Sequence, residues 1–120
     1  MYYNMEAYNF ETTINPFFWV ASEKTYSVCL NAGSYKPEIF EWRKDEGFEG
    51  NGYDWTSLAK VFLNEKKSNL SGDIKFDPEA DMFCAYSTNP ESLKEFVLDF
   101  KKACDDEMLI QDLFSKAELD

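Results

Sequence analysis

Four carboxylates fall within nine residues of this 120-residue chain: Asp73, Asp77, Glu79 and Asp81, the last three in Asp77-Pro78-Glu79-Ala80-Asp81. Two of them held a few ångströms apart could share a proton or bind a hard cation such as Mg²⁺ or Ca²⁺, as a metal-assisted hydrolase requires. The spacing lacks the alternating oxygen ligands and central glycine of an EF-hand loop. An acidic turn between two strands, its shape fixed by Pro78, accounts for the same residues more simply. A second candidate is Asp54, with Tyr53 beside it as a proton donor. Asp54 precedes a helical pattern, so an N-cap worth about 1 kcal/mol explains it locally. The chain has no histidine. That removes the commonest general base, the usual Ser-His and Cys-His pairs and most transition-metal sites. No P-loop, dinucleotide fingerprint or zinc-ligand spacing occurs. The expectation is a protein without catalytic machinery, metal or cofactor.

These residues must be positioned by the elements around them, and the stretch from Glu49 to Phe62 is central. Gly50, Asn51 and Gly52 tolerate positive φ and predict a sharp turn. Behind Asp54, the residues Trp55, Leu58, Ala59, Phe62 and Leu63 fall on one helical face, which predicts a helix ending near Lys66 or Lys67. Trp55 belongs to that apolar face and is expected to anchor the helix in the core. Tyr53 has two readings, a hydrophobic staple or an exposed interface anchor. Trp42 and Phe48 pose the same choice.

The first fifteen residues are polar and aromatic without a clean period and read as a ragged lead-in. Phe17–Ala21 and Thr25–Ala32 predict a β-hairpin across Ser22–Lys24, with Tyr26, Val28 and Leu30 opposite Ser27 and Cys29. Glu38–Arg43 alternates and predicts a third strand. Ile74–Phe76 reads as a short strand. Met82–Tyr86 reads as one whose near-continuous apolarity suits the sheet interior. Asn89 as N-cap, Pro90 at the first position and Glu91 in the first turn open a helix carrying Leu93, Phe96, Val97, Phe100 and Cys104. A shorter helix from Asp105 or Asp106 carries Met108, Leu109, Leu113 and Phe114. The predicted fold is α+β in a single domain over 1–120. It has a mostly antiparallel sheet of about five strands, with two or three helices on one face, in the order β-β-β-α-β-β-α-α.

Aromatic residues make up 18% of the chain and apolar residues 44%, enough to build a core and to exclude disorder. The formal net charge is −11, from 23 acidic and 12 basic residues, and the acidity is spread along the chain. Such a surface repels nucleic acid and anionic membrane; it either attracts a basic protein or serves only to keep an acidic cytosolic protein soluble. No secretory leader and no membrane-spanning run is visible. The three cysteines, Cys29, Cys84 and Cys104, lie far apart in apolar patterns and read as buried free thiols of a reducing cytoplasm.

Glu49-Gly50-Asn51-Gly52-Tyr53-Asp54-Trp55 with its following helix, then Phe76–Phe83, then the Leu93/Phe96/Phe100 helix, resembles the immunity protein 51 family of bacterial polymorphic toxin systems. The resemblance runs from about Phe17 to about Phe114. It implies a small cytoplasmic protein that binds and silences a cognate toxin domain. A basic toxin, such as a nuclease with a phosphate-holding cleft, would match the acidity. The toxin contacts expected on that basis are Trp42, Glu46, Glu49 and Tyr53, with Asp77, Glu79 and Asp81 as a second patch. Two other readings stay open: a metal-assisted hydrolase using Asp77, Glu79 and Asp81 or Asp54, and an acidic cytosolic adaptor for another protein.

Overall fold

Two six-residue stretches, one alternating in polarity and one nearly all apolar, set the architecture. In the computed structural model, which describes residues 9–119, these stretches are β2 (Tyr26–Asn31) and β4 (Met82–Ser87). They pair antiparallel with Val28 opposite Ala85 and Leu30 opposite Phe83. Those four side chains share one sheet face and are fully buried. β1 (Phe18–Ala21) extends the sheet beyond β2 as a hairpin, closed where the Ser22 N–H donates to the Thr25 carbonyl. β3 (Lys75–Phe76) pairs with the other side of β4, giving the order β1-β2-β4-β3. Among the described residues the chain is thus α+β, with one antiparallel sheet of four strands and five helices.

The helices are α1 (residues 9–14), α2 (Glu38–Glu41), α3 (Gly52–Lys66), α4 (Pro90–Asp105) and α5 (Glu107–Ser115). α3 and α4 pack against the sheet, and α5 packs against both helices. The cap of α4 is as the sequence predicts: Asn89 Oδ1 accepts from the N–H groups of Glu91 and Ser92, and Pro90 takes the first position. Asp106 caps α5 through the Leu109 N–H. Leu93, Phe96, Val97 and Phe100 of α4 are fully buried and meet Leu58, Ala59 and Phe62 of α3 in a common core.

Three expectations need correction. The predicted third strand, Glu38–Arg43, is helix α2, so four strands form the sheet and not five. Ile39 and Phe40 are adjacent and both buried, which a strand with one solvent face cannot achieve. Pro37, already at φ −61° and ψ −24°, pre-sets the backbone for a helical turn. The expected lead-in, over its described part, contains helix α1, which ends in the fully buried Ile14; residues 1–8 lie outside the described residues. β4 is interior to the sheet as expected, yet its burial alternates. Phe83 and Ala85 lie under the helices, whereas Met82, Cys84 and Tyr86 look to the opposite side. Its continuous apolarity therefore comes from an apolar outer sheet face, not from cover on both faces.

Candidate functional site

The segment from Gly47 to Trp55 carries two of the seven predicted contact residues, Glu49 and Tyr53, and three ties hold it. The first is the start of α3. Asn51, extended at φ −81° and ψ 179°, is the N-cap, and its Oδ1 accepts from the Asp54 N–H at 2.9 Å. Asp54 is therefore not the cap that the sequence predicts. It stands in the first turn, and its Oδ2 accepts from the N–H groups of Glu49 (2.7 Å) and Gly50 (2.8 Å). Asn51 and Asp54 have capping-box spacing, but the carboxylate reaches past the cap to the two residues before it. With only 3% of its surface exposed, Asp54 braces the loop. Gly50 provides the left-handed turn (φ +81°) that brings both N–H groups inward.

Asp54→Ala is expected to cost about 2–3 kcal/mol, because two partly buried N–H groups lose a charged acceptor. Asp54→Asn keeps one oxygen for the same two donors and should retain more than half of that stability. Urea unfolding of the two variants beside the parent protein checks the order.

The second tie is Gly52. Its N–H donates to the Ala80 carbonyl at 3.1 Å. A Cβ placed there would lie 1.9 Å from the Glu79 carbonyl oxygen and 2.3 Å from that of Met82. The start of α3 thus sits directly on the Asp77–Asp81 turn. That turn is a tight antiparallel bend in which Glu79 and Met82 exchange backbone hydrogen bonds, and the Asp81 carbonyl accepts from the Ala32 N–H. Asp77, Glu79 and Asp81 are all exposed on it. Asp73 is not part of the group; its carboxylate accepts from the Ser92 hydroxyl at the start of α4. Among the described residues, no three of Cys, Asp and Glu stand close enough together to hold a metal ion.

The third tie is Arg43. Its Nη1 donates to the Phe114 and Ala117 carbonyls (2.6 Å each), and Nε and Nη2 form a fork on Glu46 (2.9 and 2.7 Å). The guanidinium also covers the Phe48 ring, 4.6 Å from its centroid. Glu46 is engaged by that fork, and the hydrogen bonds from Arg43 hold its carboxyl below the usual carboxylate range. Phe48 is buried edge-on against Phe114 with centroids 4.8 Å apart, so it is core and not contact surface.

The predicted contact residues consequently divide. Glu49 and Tyr53 line one depression of about 460 Å³ together with Gly47, Asn51, Asp54 and Leu119. A second, of about 570 Å³, adjoins it through Gly47 and Glu49 and is floored by Pro37, Phe40 and Phe48 with Glu41 and Lys44 at its rim. Tyr53 is 41% exposed and stands on the helix end that touches the acidic turn. Trp42, also exposed, caps the C-terminal end of α2 and faces two smaller depressions beside α5, apart from the Glu49–Tyr53 depression. Sequence reasoning missed Phe40 and Glu41 as lining because it assigned Glu38–Arg43 to a strand, and missed Pro37 and Lys44 because it placed them in the loops on either side. The glycine and phenylalanine at 47 and 48 were the available signal for a loop folding back on an aromatic floor.

The arrangement can present carboxylates and one tyrosine on a rigid rim. The model of a family described as Immunity protein 51 matches residues 17–119 of the chain. No curated protein and no solved structure matches it.

Proposed function

Because the chain belongs to the immunity protein 51 family, we propose that it is a non-catalytic immunity protein that binds and neutralises a cognate bacterial toxin domain in the cytoplasm. The family match carries this reading: it spans the whole sheet and every helix from α2 to α5. The toxin, on this proposal, presents a basic surface, as a nuclease does where it holds phosphates. A net charge of −11 supports this by favouring fast, electrostatically steered capture. The contact surface combines Glu49 and Tyr53 with Asp77, Glu79 and Asp81, since the Gly52–Ala80 junction joins the two patches. Trp42 and Glu46 form a flank on the α2 side, with Glu46 already committed to Arg43.

Co-expression with the toxin domain encoded next to this chain is the test, and cell survival is expected. Death despite soluble expression of both proteins would overturn the reading for that toxin. Tyr53→Ala should weaken the complex by about 30-fold, the loss typical of an aromatic anchor. An unchanged dissociation constant would remove Tyr53 from the interface. Association should also slow markedly as salt rises; a flat dependence would sink the electrostatic part.

A further inference from the structure

Cys29 and Cys84 are 55 positions apart in the chain, yet β2 and β4 place them directly opposite one another. Their sulfurs are 3.7 Å apart, and both thiols are free. The backbone of Cys84 is turned away from β2, since its carbonyl accepts from the Asp77 N–H on the β3 side. Cys29 and Cys84 are therefore a non-hydrogen-bonded cross-strand pair, the kind whose Cα atoms approach to about 4.5 Å. That separation lies within the range a disulfide spans, about 4.4–6.8 Å. The pair sits on the sheet face opposite the helices, beside the exposed Phe18 and Val20, and Cys84 is only half-buried. Cys104 is different: it is sealed in the core under α4, where burial pushes its thiol far up.

We infer that Cys29 and Cys84 form an oxidisable dithiol that closes into a cross-strand disulfide on meeting a peroxide. The inference stands whether or not the toxin assignment holds. Cys84 is the attacking sulfur. The Cys29 S–H donates to it and lowers its thiol below the ordinary cysteine range, with help from Ser27 and against burial, Asp77 and Glu79, while the donor Cys29 thiol is pushed up. The thiolate, which is the reactive form, is thereby favoured at Cys84 over Cys29. The Cys84 thiolate attacks one oxygen of hydrogen peroxide; an S–O bond forms, the O–O bond breaks and hydroxide leaves. Cys29 then attacks the Cys84 sulfur, forming S–S and breaking S–O, and its proton leaves with the second hydroxide as water. Two thiols and one peroxide thus become one disulfide and two waters, the two electrons passing from sulfur to oxygen.

The test treats the fully reduced full-length chain with hydrogen peroxide and follows intact mass and peptide mapping. The expected product has lost two hydrogen atoms, joins the peptides containing Cys29 and Cys84, and reverts with dithiothreitol. The same link should form in Cys104→Ser. In Cys29→Ser a sulfenic acid should persist on Cys84, trapped by dimedone. The oxidised chain should melt about 10 °C higher, because the bond closes a long loop. Cys84 advancing to the sulfinic acid in the parent chain without linking would overturn the inference. So would a link to Cys104, a link between molecules, or a lower melting temperature after linking.

Discussion

Gly52→Ala is expected to destabilise the protein by about 2–3 kcal/mol, against the trend of its helical position. Two effects oppose each other. Alanine is a better helix former than glycine by about 1 kcal/mol, and Gly52 is the first residue of α3. The new Cβ, however, would stand 1.9 Å from one backbone carbonyl oxygen and 2.3 Å from another. Neither is a side-chain tip that can swing away. α3 and the acidic turn would have to separate, which costs the Gly52–Ala80 hydrogen bond and overpacks the junction by about 1–3 kcal/mol or more. The steric term wins. Gly72→Ala is the control, because nothing lies within 4 Å of a Cβ there; it should leave stability nearly unchanged. Urea unfolding decides, and a Gly52→Ala variant as stable as the parent would show that the junction yields. The same variant should weaken toxin capture even where the fold survives, since the turn bearing Glu79 and Asp81 moves away from Tyr53.

Trp55→Ala carries the largest expected loss, about 3–5 kcal/mol. Trp55 is 1% exposed and stands where loop, sheet and helices meet. It lies edge-on to Phe40 (5.0 Å between centroids), Phe100 (6.1 Å) and Phe17 (6.3 Å), and it stacks on Tyr35 at 5.9 Å. Each such pair adds about 0.5–1.5 kcal/mol beyond area burial, and alanine removes four at once. Against a typical total of about 5–15 kcal/mol, the melting temperature should fall by roughly 10–20 °C. Calorimetry reads this directly, and the near-ultraviolet circular dichroism of the aromatic cluster should collapse with it. Trp55→Phe, which keeps a ring in the site, should recover about half of the loss.

What the sequence made legible was local. The hairpin, β4 and the Asn89-Pro90-Glu91 start of α4 each announce themselves within a few residues. α2 did not, because a four-residue helix is barely one turn and shows no repeat, and Phe40 and Trp42 fit an alternating pattern by chance. The sequence points to Asp54 as the α3 cap and to Asn51 only as a turn residue. Asn51 and Asp54 both favour helix starts, and only the backbone shows that the first caps while the second reaches back to Glu49 and Gly50. The candidate site reads from sequence as two separate patches, Trp42, Glu46, Glu49 and Tyr53 in one and the Asp77–Asp81 turn in the other. Their junction rests on Gly52 needing room rather than freedom, a tertiary demand with no sequence signature. The opposition of Cys29 and Cys84 likewise follows from strand register, which neither strand reveals alone.

Arg43 has one more consequence. Its four hydrogen bonds and its cover of Phe48 fix the 43–48 segment to the end of α5, much as Asp54 fixes the residues that follow. The loop is consequently ordered before any partner arrives, and its loss of conformational freedom falls on folding and not on capture. An interface built this way offers a stiff relief instead of an adaptable one. A toxin whose surface drifts by mutation would meet a mould that cannot follow it. Lysine, a single charge without a planar fork, could not hold that mould in place of Arg43.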